Sequence, residues 1–97
     1  MSASVSTHVL DTARGQPASG VLVELFEGER LVATGVTGVD GRLAELAAEL
    51  DPGSYRLVFH PESDFFARVQ LDVALGEGHF HIPLLVSPYA CTTYRGS

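Results

Sequence analysis

The chain has no lysine, a single cysteine and no long apolar run, and each shortage excludes something. Its six cations are therefore all arginines, set against twelve acidic residues for a formal net charge of -6. Nucleic acids and anionic membranes are held by clusters of Lys and Arg, so neither is expected as a partner. Cys91 cannot close a disulfide within the chain, and nothing requires an oxidising compartment. No apolar stretch approaches the roughly 18 residues that would cross a bilayer. Met1 to Gly15 lacks both a basic n-region and an apolar h-region, so a soluble cytoplasmic protein is the expectation. Helical periodicity is scarce as well, and there is no internal repeat or linker. The 97 residues suit one domain, 1–97. A domain of that size buries only about 60 to 65 % of the surface its unfolded chain exposes, and gains from self-association.

What the chain does have is short alternating runs broken by Gly, Pro and Asp, the pattern of an all-β antiparallel sandwich of about seven or eight strands. Ser4 to Asp11 places Val5, Thr7 and Val9 on one face and Ser6, His8 and Leu10 on the other. Thr12 to Gly20 reads as a polar loop, and Val21–Glu27 with Leu31–Val36 as a hairpin. Asp40-Gly41 supplies the positive φ of a tight turn and sets Arg42 on its shoulder. Leu43 to Leu50 carries helix-favouring residues but is short. A strand running into Asp51-Pro52-Gly53 is expected there, with a helical turn as the alternative. Ser54–His60 and Val69–Val73 alternate again, joined by Pro61 to Phe66.

From His79 to Val86 the even positions Phe80, Ile82, Leu84 and Val86 are large and apolar and belong to the core. His79, His81, Pro83 and Leu85 then face outward, as does His8 by the parity of the first strand; parity alone does not say whether the sheet is the same. An outer face with Leu10, Pro83 and Leu85 beside histidines is a candidate for self-association. Pro83 removes a ladder donor, which places its strand at an edge or at a bulge.

Histidine exchanges protons with water near neutral pH, and arginine is a fixed planar cation suited to an oxyanion. Two histidines and an arginine would suit addition of water to an activated carbonyl. Zinc is the competing reading of His79-x-His81, with His8, His60 or a carboxylate completing the shell, but no Cys-x-x-Cys or His-Glu-x-x-His spacing supports it. The terminal Tyr94-Arg95-Gly96-Ser97, aromatic, cationic and hydroxylated, invites a ligand.

Taken in order, Ser6-Thr7-His8-Val9-Leu10-Asp11, the Asp40-Gly41-Arg42 turn, Pro52-Gly53-Ser54-Tyr55-Arg56-Leu57, His79 to Pro88 (HFHIPLLVSP) and Tyr94-Arg95-Gly96-Ser97 resemble the 5-hydroxyisourate hydrolases, the transthyretin-related enzymes of urate breakdown. The resemblance implies a transthyretin-like sandwich assembled as a homotetramer, a dimer of dimers, with active sites in the channel between dimers. It implies hydrolytic opening of the 5-hydroxyisourate ring without metal or organic cofactor. By the same resemblance His8, Arg42 and His81 are catalytic, and Tyr94, Arg95, Gly96 and Ser97 bind substrate. The family's helix before the Val69 strand is expected to be reduced or absent, since only Pro61 to Phe66 remains there. A non-catalytic binding or structural module of the same fold is the rival reading, and a degenerate enzyme the third.

Overall fold

The computed structural model describes residues 2–96. Ten strand segments follow one another: β1 (Ala3–Asp11), β2 (Gln16–Pro17), β3 (Leu22–Glu27), β4 (Arg30–Val36), β5 (Arg42–Leu50), β6 (Gly53–His60), β7 (Val69–Leu75), β8 (Gly78–His81), β9 (Leu84–Val86) and β10 (Cys91–Thr93). β1 is the hub of the first sheet. β5 and β2 pair with one of its edges, β8 and β9 with the other, and β10 adds beyond β9. The second sheet has the order β4-β3-β6-β7. No helix occurs among the described residues, and the connection between β6 and β7 is held by Ser63, whose Oγ accepts from the N–H groups of Phe65 and Phe66.

The two sheets bury the faces that alternation assigned to the core. Val5 and Val9 from β1 and Leu84 from β9 meet Val23 and Leu25 from β3 and Leu57 and Phe59 from β6, all fully buried. Each such side chain contributes on the order of 1.5 to 3 kcal/mol by leaving water. Tyr55 joins this core and donates its hydroxyl to the carbonyl of Asp51 (2.6 Å), and burial raises its pKa.

Three details bear on the expectation. First, β1 runs parallel to β8 and β9, so the sandwich is mixed and not wholly antiparallel. Second, Leu43 to Leu50 takes the expected strand and not the alternative helical turn, because the ladder on β1 outweighs the helical preference of Leu, Ala and Glu. The extra residues of β5 are absorbed by register shifts, near which Glu49 takes φ 55°. Third, Pro83 is buried and lies in the middle of the sheet. Having no N–H, it splits one strand line into β8 and β9, and two hydroxyls take up the carbonyls at the break. Thr7 Oγ1 donates to Ile82 O (2.6 Å) and Thr93 Oγ1 to Pro83 O (2.8 Å).

The Asp40-Gly41 turn folds back onto β1. Gly41 has φ 76°, its carbonyl accepts from Val9 N (2.8 Å), and a Cβ there would stand 2.4 Å from Val9 O. Only glycine fits, and this close approach fixes the height of Asp40 and Arg42 beside β1.

Candidate functional site

Strand register alone brings the histidines together. His8 on β1 lies directly opposite Arg42 on β5, while on the other edge of β1 Ser4 faces His79 and Ser6 faces His81. Directly paired residues share a face, and residues two apart along a strand share it too. His8, Arg42, His79 and His81, with Ser4 and Ser6, therefore form one patch on the outer face of the first sheet. The question left open by parity is answered: the histidines from opposite ends of the chain are neighbours across one strand.

The hydrogen bonds define which ring nitrogens are engaged. His8 donates from Nε2 to the carbonyl of Asp40 (2.9 Å), which leaves Nδ1 as the lone-pair nitrogen of the neutral ring. Ser6 Oγ lies 2.8 Å from Nδ1 of His81 and 2.8 Å from Nε2 of His79. A hydroxyl has one proton, so Ser6 donates to one imidazole and accepts from the other. Ser4 Oγ, 2.7 Å from Nδ1 of His79, extends the row. Ser6 is only 6 % exposed even though it faces away from the core, because the two imidazoles cover it.

His81 is half-buried, and its pKa lies below the ordinary histidine range, first through burial and then through the charges of Arg42, His8 and His79. At neutral pH the ring is uncharged and able to accept a proton. Arg42 is exposed and carries its charge into the same patch.

The chain's end closes on this patch through one residue. Gly96 bridges to His81 in antiparallel fashion, donating its N–H to His81 O (2.7 Å). A Cβ on Gly96 would come within 2.7 Å of His81 Cδ2, so the tail can approach the imidazole only because residue 96 is glycine. Gly96→Ala should push the ring out of line and lower turnover by about tenfold, of the size expected for a misplaced catalytic group. Its melting temperature should stay within a degree or two of wild type, since the site lies at the chain's end; steady-state kinetics and a thermal melt check both.

Tyr94 and Arg95 do not face the cluster within one chain. The Arg95 guanidinium lies 4.4 Å over the ring of Phe80, whose side chain is turned to the core, and both tail residues line a groove at the sandwich edge with Leu71, Val73 and Ile82. Ser97 lies outside the described residues. The fourth histidine, His60, belongs to the second sheet, where it donates to Glu24 Oε1 (2.6 Å), so it does not join His79 and His81 in a metal shell. Among the described residues, no group of three or more His, Cys, Asp or Glu stands ready to share a metal ion.

Two members of the patch carried no assigned role in the sequence reading, Ser4 and Ser6. Their signal was present in the parity of β1, which puts them on the face of His8, but the parallel register that sets them against His79 and His81 is a tertiary fact. A groove of about 560 Å³ lies elsewhere, between Asp11, Glu62, Phe65 and Tyr89. On the histidine face Arg42 and His79 are exposed, while His8 and His81 are half-buried.

A family model described as the HIUase/Transthyretin family matches residues 5–96. The chain belongs to that family. Within the HIUase/Transthyretin family it is similar to the 5-hydroxyisourate hydrolase of Pseudomonas aeruginosa, 40 % identical over 96 % of this chain and 90 % of that one. The 5-hydroxyisourate hydrolase of Mus musculus is 36 % identical over 99 % and 97 %. Among solved structures, Klebsiella pneumoniae 5-hydroxyisourate hydrolase superposes with a TM-score of 0.90 at 40 % identity, covering 98 % of this chain and 99 % of that one. Sea bream transthyretin in complex with thyroxine superposes with a TM-score of 0.85 at 25 % identity, over 95 % and 93 %. One HIUase/Transthyretin architecture is thus shared by a hydrolase and a protein solved with thyroxine, so the fold alone does not choose between such activities.

Proposed function

We propose that this protein hydrolyses 5-hydroxyisourate, opening its cyclic amide ring to 2-oxo-4-hydroxy-4-carboxy-5-ureidoimidazoline in urate degradation. One observation carries the reading: His8, Arg42 and His81 share a single face, with His81 held neutral. A carrier or spacer needs the sandwich but not this cluster.

Each catalytic imidazole has one nitrogen engaged by the protein, Nε2 in His8 and Nδ1 in His81. The other nitrogen is left for water and substrate. His81, kept neutral by burial and by Arg42, takes the proton as water adds to the ring carbonyl. His8, fixed by Asp40 O, orients that water. Arg42 binds the substrate and stabilises the oxyanion as it forms. The reaction calls on no metal or organic cofactor.

The functional unit is a homotetramer, a dimer of dimers, in a cytoplasmic setting. Support comes from the exposure of Arg42 and His79 on one chain and from β7 and β10, edge strands that leave backbone groups for pairing. Tyr94, Arg95, Gly96 and Ser97 close the substrate site in the assembled channel.

The test is an assay with 5-hydroxyisourate generated in place, its ultraviolet absorbance followed against the spontaneous decay. Purified protein should accelerate the loss by orders of magnitude, and decay at the spontaneous rate would reject the hydrolase in favour of a binding module.

A further inference from the structure

Ser4, His79, Ser6 and His81 form one unbroken row of hydrogen bonds. The contacts are 2.7 Å from Ser4 Oγ to His79 Nδ1, 2.8 Å from His79 Nε2 to Ser6 Oγ, and 2.8 Å from Ser6 Oγ to His81 Nδ1. The parallel register of β1 and β8 builds the row, pairing Ser4 with His79 and Ser6 with His81 on one face. One end is exposed, at Ser4 and His79, and the other is the half-buried imidazole beside His8 and Arg42.

Every member of the row can both give and take a proton, and its polarity is all-or-none. If Nδ1–H of His81 donates to Ser6, then Ser6 donates to Nε2 of His79, and Nδ1–H of His79 donates to Ser4. Reversing all of these bonds satisfies the same groups equally well. Such a row carries a proton from one end to the other without leaving a charge on any member.

We propose that Ser4, His79 and Ser6 are a proton relay between His81 and bulk water, with His79 a positioning residue that acts through Ser6; this rests on the hydrolase reading above. As the oxygen of water bonds to the ring carbonyl carbon, Nε2 of His81 takes its proton. Nδ1 of His81 passes its own proton to Ser6, Ser6 passes one to Nε2 of His79, Nδ1 of His79 passes one to Ser4, and Ser4 releases one to solvent. When the carbon–nitrogen bond breaks, its electron pair stays on nitrogen, which takes the proton from Nε2 of His81. The row then runs in reverse, refilling Nδ1 of His81 from solvent. The new carboxylic acid ionises to carboxylate on leaving, so protons balance and His81 regains its starting tautomer. The benefit is that His81 serves as base and then acid without becoming a cation beside Arg42, whose charge opposes that state.

His79→Gln tests this, because glutamine offers the two serines one donor and one acceptor but cannot pass a proton through itself. The expected result is a kcat lower by about 10- to 100-fold, within the range of general acid–base effects, with KM within about twofold of wild type. Ser6→Ala should show the same loss, and the double variant no further loss, since either change cuts the same row. In His79→Ala, added imidazole should restore part of the rate by occupying the exposed gap. Wild-type kcat in His79→Gln, or a loss in His79→Ala that imidazole does not restore, overturns the relay. Should His79→Gln fail to fold, wild-type kcat in Ser6→Ala overturns it equally. His81→Asn and the wild-type assay separate the two readings: no acceleration by the wild-type protein rejects the hydrolase and the relay with it, and wild-type turnover in His81→Asn removes His81 as the base and overturns the relay while the hydrolase reading stands. If His81→Asn is inactive while His79→Gln is unimpaired, only the relay falls.

Discussion

His81→Asn should lower kcat on 5-hydroxyisourate by about 10³-fold, within the span ascribed to a positioned general base. Asparagine retains a polar group for Ser6 but cannot take a proton. The melting temperature should move little, because the ring sits on an outer face and its imidazole is hydrogen-bonded to Ser6 at the surface of the first sheet. In wild type the acid limb of the kcat profile should report His81. Its pKa is depressed, so the neutral, active form persists below the ordinary value near 6.5 and activity falls only as pH drops through the lower folded value. The same sign applies to stability: the favourable difference is fully present above the unfolded pKa and is lost as pH falls through the folded one. Unaltered turnover in the variant, or an acid limb lying above pH 6.5, would remove His81 from the role of base.

Arg42→Gln is expected to cost about 10²- to 10³-fold in kcat/KM, the scale of losing one donor to an oxyanion. It has a second signature that a simple loss of binding would not produce. Arg42 is one of the charges that depress the His81 pKa, after burial itself. Removing it lets that pKa rise, so the acid limb of the variant should shift to higher pH while the fold is unchanged. A rate loss with the limb in its wild-type place would mean that Arg42 and His81 are not electrostatically coupled. Arg42→Lys is not a conservative control, because an ammonium keeps the charge but loses the planar fork.

The first sheet explains how so small a domain assembles six functional side chains with little dedicated structure. β1 carries His8 and the two serines on one edge-to-edge strip, β5 brings Arg42 level with His8, and β8 brings His79 and His81 level with Ser4 and Ser6. Glycines set two of the tolerances. Gly41 lets the Asp40 carbonyl come down onto His8, and Gly96 lets the chain's end lie against His81.

Alternation by itself determined which residues of β1, β8 and β9 face the core, and it did so because a period of two is imposed by the backbone irrespective of partners. Val5, Val9, Phe80, Ile82 and Leu84 are buried as that pattern requires, and His8, His79 and His81 are turned outward. The all-β class and the Asp40-Gly41 turn were legible for the same local reason. Pairing is not local, and only the tertiary structure decided it. That β1 runs parallel to β8, that Pro83 sits within the sheet between two hydroxyls, and that Arg95 stacks on Phe80 away from the histidines follow from contacts between separate elements, at a sequence separation of 75 for Ser6 and His81 and 10 for Pro83 and Thr93. A strand's sequence states which way its side chains point, but a partner strand is chosen by the summed packing of the whole chain.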